Sequence, residues 1–234
     1  PGANRTILQT ALPEALFVDR DAEGADFQAG AKAVVAGPGM GTGGDALALL
    51  RVIVRGGDAP LLLDADAVTL LAAKPTLRDE AGDRPLLLTP HPGEMSRLLS
   101  RPVGEITADP FAAATEAAER FRCAVLLKGA PSLVAAPGAA TRVNVAGHSG
   151  IATGGNGDVL SGIVGALLAR GMEPADAAGA GLYLAGRAAE IAGRGRGLLP
   201  RDVADALPTA LLEEAPRESP LGLPGILLDL PAAR

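Results

Sequence analysis

A glycine-rich turn, Gly154-Gly155-Asn156-Gly157, leads directly into Asp158, and behind it Val159, Leu160, Ile163, Val164, Leu167 and Leu168 repeat at helical spacing until Gly171. This spacing predicts a helix that begins at or next to Asp158. Glycines let the backbone turn several N–H groups toward one point at such a helix start, where the macrodipole adds partial positive charge. The natural occupant is an anion, a phosphoryl group above all. An aspartate beside it suits a general base that takes a proton from a hydroxyl as phosphate approaches. The plainer reading makes Asp158 a first-turn helix acid, and this stretch alone leaves the two open.

Scarce residue types mark other candidates. Lysine occurs at three positions and histidine at two. Lys128 opens Lys128-Gly129-Ala130-Pro131-Ser132 after an apolar run, where a cation can neutralise phosphate and Gly129 gives close backbone access; a lysine snorkelling from a strand end is the alternative. Lys32 and Lys74 read as surface positions. His91 sits in LTPHPGE with Pro92 fit for a first helical position and Glu94 three residues on, so it either hydrogen-bonds a polar small molecule or belongs to a helix cap. A zinc site would need more ligands than the chain offers. Asn144 and His148 also fall near glycine turns. Asp64 and Asp66 of DAD share one side of an extended chain, open to a ligand or magnesium, or to Asp66 capping the next helix. The turn GPGMGTGG, Gly37 to Gly44, includes Gly39 and Gly41, and could bring backbone close to a ligand.

The elements that position these residues alternate. Short apolar runs at 33–36, 61–63, 86–88, 124–127, 132–135 and 142–145 are separated or followed by helical patterns near 45–54, 67–73, 92–100, 110–121, 174–192 and 201–212, besides the helix after the glycine turn. This order predicts an α/β protein with a central, mainly parallel sheet covered on both faces, whose ligands bind beyond the carboxyl ends of the strands. The expected domain is 1–215, with 216–234, which holds four prolines and no clear period, as a surface-hugging or disordered tail.

Composition narrows the partners. A chain of 234 residues with 48% hydrophobic content and mean hydropathy +0.25 buries a substantial core. Net charge −6 and 2% aromatics argue against nucleic acid. The lone cysteine, Cys123, reads as a core residue and fits a reducing cytoplasm. No apolar run approaches about 18 residues, so no membrane span is expected. The chain opens without methionine, and the expectation is a processed or truncated piece.

Taken in order, GPGMG (37–41), LLLDADAVTLL (61–71), LLTPHPGEMSRLL (87–99), VLLKGAPSLVA (125–135) and GHSGIATGGNGDVLSGIVGALLARG (147–171) resemble the nucleotide-dependent NAD(P)H-hydrate dehydratases of the ribokinase-like superfamily. The resemblance implies a three-layer α/β/α fold and repair of NADH or NADPH hydrated on the nicotinamide ring, the S epimer being the substrate. The nucleotide phosphorylates the ring hydroxyl and phosphate then leaves, restoring the double bond. The spelling GIATGGNGD is similar to the bacterial form, which uses ADP and releases AMP. Gly39, Gly41, His91 and Asp158 would then contact the hydrated dinucleotide. Lys128, Gly129, Ala130, Pro131, Ser132, Gly155, Asn156 and Gly157 would hold the adenine nucleotide, with Asp158 as base and nearby N–H groups stabilising the phosphoryl in flight. Magnesium is implied without identifiable protein ligands. A homo-oligomer is expected, as is an NAD(P)H-hydrate epimerase as functional partner, either separate or fused as a further domain.

Two departures accompany the resemblance. The family opens with a glycine-rich strand and loop carrying a tyrosine and a Gly-Ala pair, and this sequence begins after that point, so part of the sheet and one wall of the site are expected to lie outside it. A histidine usual in the family is replaced at Ala185. The competing enzyme reading is a thiazole or hydroxymethylpyrimidine kinase of the same superfamily, against which LTPHPGE and DAD argue. The non-enzymatic one is a nucleotide-binding sensor or structural subunit, against which the intact Gly-Asn-Gly-Asp turn argues.

Overall fold

A computed structural model describes residues 2–16, 28–213 and 226–228. Two compact units are distinguished, 1–30 and 31–234. The first contains helix α1 (Gly2–Ala11), where no element was expected: Ile7 and Leu8 are exposed, so no apolar stripe announces it.

The second unit is an α/β layer structure. Its strands are β1 (Val34–Ala36), β2 (Leu61–Leu63), β3 (Leu86–Leu88), β4 (Ala124–Leu127), β5 (Ser132–Ala135), β6 (Arg142–Asn144) and β7 (Ile226–Leu228), side by side in that order. β1 to β4 are parallel to one another, and each later pairing is antiparallel. β6 therefore points with β1 to β4, and five of the seven strands share one direction. Most of the expected tail, 216–234, lies outside the described residues, but within it Ile226 pairs with Asn144 and adds a strand.

Between the strands run α2 (Gly44–Arg55), α3 (Ala65–Ala73), α4 (Leu77–Glu80), α5 (Pro92–Leu99), α6 (Val103–Ala108) and α7 (Pro110–Phe121). Because strand order never reverses, right-handed crossovers place these helices on one face. After β6 come α8 (Asn156–Ala169), α9 (Pro174–Ala192) and α10 (Pro200–Leu212). Strand alternation turns Leu62, Leu87, Leu126 and Val134 toward α8 and α9, where they form one core with Leu160, Ile163, Val164, Leu168, Leu182 and Ala185. The neighbouring strand residues Leu61, Leu63, Leu88, Val125 and Leu127 are also buried and face the other layer. Sheet, helices and turns thus form the three-layer α/β/α arrangement. Among the helices between the strands, α4 and α6, of 4 and 6 residues, escaped the sequence reading, being too short for a helical period to register.

Candidate active site

The parallel strands deliver their carboxyl ends to one edge, where a cavity of about 870 Å³ opens. It is lined by His91, Lys128, Gly129, Ala130, Pro131, Ser132, Gly155, Asn156 and Gly157, nine of the residues expected to touch ligand. The loop from Asn144 to Thr153 supplies another wall, and Leu160, Leu182, Ala185 and Val203 an apolar floor. The size suits a small-molecule ligand. Gly39, Gly41 and Asp158 do not line this cavity.

At the glycine turn the helix starts earlier than the apolar spacing indicated. α8 begins at Asn156, two residues before Asp158, because Gly155 at φ +90° provides a left-handed cap that other residues adopt with strain. The N–H groups of Asn156 and Asp158 are taken by Thr153 and Gly155 carbonyls. Those of Gly154, Gly155 and Gly157 bond to no partner among the described residues, leaving three donors at the positive end of a 14-residue helix. Asp158 follows in the first turn, exposed, its carboxylate without a hydrogen bond or ion pair among the described residues. Asn156 is buried; its Nδ2 donates to the Ile151 carbonyl at 2.9 Å, and its Oδ1 is a buried acceptor without a partner among the described residues.

Lys128 leaves the end of β4 with its N–H donating to the Pro90 carbonyl at 2.8 Å. Its ammonium lies beside Gly157: a methyl group there would stand 3.7 Å from Nζ. It also donates to Asp64 Oδ1 at 2.6 Å, and Glu94 Oε2 lies 3.9 Å away. Lys32 and Lys74, by contrast, are exposed. After Lys128 the chain closes on itself, since the Ser132 hydroxyl both accepts from the Gly129 N–H at 3.1 Å and donates to the Gly129 carbonyl at 2.9 Å.

His91 is the N-cap of α5. Its Nδ1 accepts from the Gly93 N–H at 3.0 Å while Glu94 Oε2 accepts from the His91 N–H at 2.8 Å, completing a capping box with Pro92 in the first turn. The imidazole is half exposed at the cavity with Nε2 3.3 Å from Glu94 Oε1. Capping and cavity lining thus coexist in one residue.

The two aspartates of DAD part ways. Asp64, not Asp66, caps α3, accepting from the Ala65 N–H at 2.9 Å. The reason is that Ala65 turns into the left-handed region, φ +48°, and starts the helix two residues early. Asp66 then sits in the first turn, where its Oδ2 accepts the Gly41 N–H at 2.8 Å and ties down the glycine loop after β1. That loop passes so close to Asp64 that a Cβ on Gly37, itself at φ +127°, would lie 1.7 Å from the Asp64 carbonyl oxygen.

Two contributors carried no sequence signal. Ser161, buried on α8, donates to Asp64 Oδ2 at 2.7 Å. Glu190 on α9 accepts the Gly147 N–H at 2.7 Å, while His148 bonds the Ala189 carbonyl at 3.2 Å and accepts from the Gly150 N–H at 3.0 Å, so α9 holds the loop wall. Serine within an apolar helix and glutamate far along the chain are detectable only once the chain is folded.

Taken together, a cavity with an apolar floor, a lysine, helix-start donors and a nearby carboxylate that bonds nothing among the described residues can hold a phosphorylated ligand and receive a proton. A family model described as NAD(P)H-hydrate dehydratase matches residues 2–209. The chain is 43% identical over 178 residues to the ADP-dependent (S)-NAD(P)H-hydrate dehydratase of Neisseria meningitidis, covering 74% of this chain and 60% of that one. It is 42% identical over 177 residues to the bifunctional NAD(P)H-hydrate repair enzyme Nnr of Coxiella burnetii, covering 74% and 35%. It thus spans 60% and 35% of the length of these two relatives. The ADP/ATP-dependent NAD(P)H-hydrate dehydratase of Bacillus subtilis, co-crystallised with ATP and Mg2+ and soaked with CoA, superposes with a TM-score of 0.75 at 27% identity, covering 88% of this chain and 76% of that one. A ribokinase-like superfamily protein of Enterococcus faecalis gives 0.75 at 26%, covering 88% and 72%, which bears out the expected fold. On the match over residues 2–209, the chain belongs to the NAD(P)H-hydrate dehydratase family.

Proposed function

We propose that this protein restores NADH or NADPH from the S epimer of its hydrated form, using ADP as phosphoryl donor and releasing AMP and phosphate. The observation that carries the reading is the join of Lys128 and the glycine N–H groups of the α8 start with the carboxylate of Asp158 one residue on, neither the N–H groups nor the carboxylate having a partner among the described residues. The nucleotide occupies the cavity, its base on the aliphatic floor and its phosphates between Lys128 and the glycine turn. Gly39, Gly41 and His91 stand toward the hydrated dinucleotide. Asp158 takes the proton from the ring hydroxyl as its oxygen bonds to the terminal phosphorus and the bridging P–O bond breaks. The phosphorylated ring then loses phosphate and a ring proton, which restores the double bond.

Magnesium is proposed to arrive with the nucleotide. Among the described residues no group of three or more His, Cys, Asp or Glu side chains could hold a metal ion, and Asp64 and Glu94 already face Lys128. A cation carried on phosphate oxygens fits that donor set, and its chemistry is to neutralise charge on the phosphates. The reading also places the protein in the cytoplasm, as a homo-oligomer working beside an NAD(P)H-hydrate epimerase. The bifunctional name of the C. burnetii relative supports a linked second repair activity, and among the described residues no helix is long and apolar enough to cross a membrane.

The test is direct. Purified protein is incubated with hydrated NADH, Mg2+ and ADP or ATP, and the return of reduced-nicotinamide absorbance is followed. ADP is expected to support the faster recovery. Equal or better use of ATP removes the ADP assignment, and phosphorylation of a thiazole or pyrimidine alcohol without recovery of NADH replaces the reading with the kinase.

A further inference from the structure

Lys128 is not held by phosphate-facing groups alone. Asp64, 1% exposed, sits between it and Ser161, also 1% exposed, with one carboxylate oxygen on each. This buried chain joins the end of β2, the end of β4 and the second turn of α8, and the last two of these elements border the cavity through Lys128 and the α8 start. Ala65 beside it is one of only three non-glycine residues in the left-handed region among the described residues, so the junction is kept at some cost in backbone energy.

We propose that Asp64 and Ser161 are positioning residues for nucleotide binding. The Ser161 hydroxyl fixes the Asp64 carboxylate, which in turn holds the Lys128 ammonium beside Gly157, where the nucleotide phosphates bind. This deepens the function proposed above and rests on its assignment of the cavity to an adenine nucleotide. A lysine ammonium is a compact charge on a flexible stem, and its direction has to be set by what surrounds it. Of its three N–H donors one is spent on Asp64, leaving two for phosphate oxygens. Glu94 waits 3.9 Å away on another side, and without the Asp64 charge it is the carboxylate that draws the ammonium off Gly157.

A purely structural role is a real rival, because Asp64 also caps α3. A double-mutant cycle on ADP affinity, measured by calorimetric titration, separates the two. Asp64→Asn keeps a cap acceptor and removes the charge. In the parent it is expected to weaken ADP binding roughly tenfold, the scale of one charge-assisted hydrogen bond. In the Lys128→Ala background Asp64 is an unpaired buried anion facing the phosphates, so the same substitution is expected to strengthen binding: the sign reverses. Ser161→Ala gives a smaller loss in the parent and none without Lys128, and it carries the test if Asp64→Asn does not fold. Equal weakening in both backgrounds, or no effect of either substitution in the parent, overturns the proposal. ADP binding with the reversed sign but no recovery of NADH leaves the positioning role standing and removes the dehydratase reading. A parent that binds no ADP removes both.

Discussion

In the proposed mechanism Asp158 is the base, and its structural role is light. Its carboxylate is exposed and makes no bond among the described residues, so folding asks little of it. Asp158→Asn preserves size and the helix start while removing the base. Turnover should fall by roughly two to four orders of magnitude with ADP affinity retained. Parent-like turnover would reduce Asp158 to a helix-start acid and end the mechanism. The place of Asp158 at a helix start was readable because it directly follows Gly-Asn-Gly and precedes an apolar helical period. Lys128 and His91 were readable as rare types at strand exits, although neither their partners nor the double duty of His91 as cap and cavity wall could be told from spacing. Ser161 was not readable at all. Its partner Asp64 lies 97 positions away, and a serine on an apolar helix has an ordinary explanation.

Elements are also tied together at the opposite edge of the sheet, where buried arginines meet helix ends. Arg78 on α4 donates to the carbonyls of Phe121 at 2.5 Å and Arg122 at 3.0 Å, at the end of α7, and to Gly82 at 2.8 Å. Arg84 before β3 donates to the Ile53 carbonyl near the end of α2 at 2.6 Å. Carbonyls in a last helical turn lack intrahelical donors and carry partial negative charge, which a guanidinium fork satisfies. Arg78→Ala is therefore expected to cost about 2–4 kcal/mol in urea unfolding, with ADP affinity unchanged in the folded protein. Lysine should recover only part of the loss, lacking the planar fork. A loss below about 0.5 kcal/mol would show the carbonyls rehydrate freely. The apolar runs and helical spacing made most elements legible. The ends were less so: α3 starts at Ala65 because one residue takes a left-handed turn, which no periodicity announces.

At the scale of the molecule, parallel strands divide labour between two edges, cavity-lining groups at the carboxyl ends and structural clasps at the amino ends. The strand-end rule located the first edge from sequence, while the second was silent because arginine is common throughout this chain. Cys123 belongs to that second edge, buried just ahead of β4, and it reports on the stability of the whole fold. Burial pushes its thiol up to about 12 from an ordinary 9.0, with the Arg78 charge opposing. Below about pH 9 folded and unfolded chains both keep the proton, and this group adds no pH dependence. Between about pH 9 and 12 the unfolded chain releases it while the folded one retains it. The unfolded state then binds fewer protons, so stability falls as pH rises, by about 1.4 kcal/mol per unit from this group. Cys123→Ala removes that contribution and leaves every other side chain in place. In urea unfolding at about pH 8 and pH 10.5, the parent should lose about 2 kcal/mol more than the variant between the two conditions. Equal losses would mean that the thiol ionises in the folded protein as it does in the unfolded chain, and that the amino edge of the sheet admits water to Cys123.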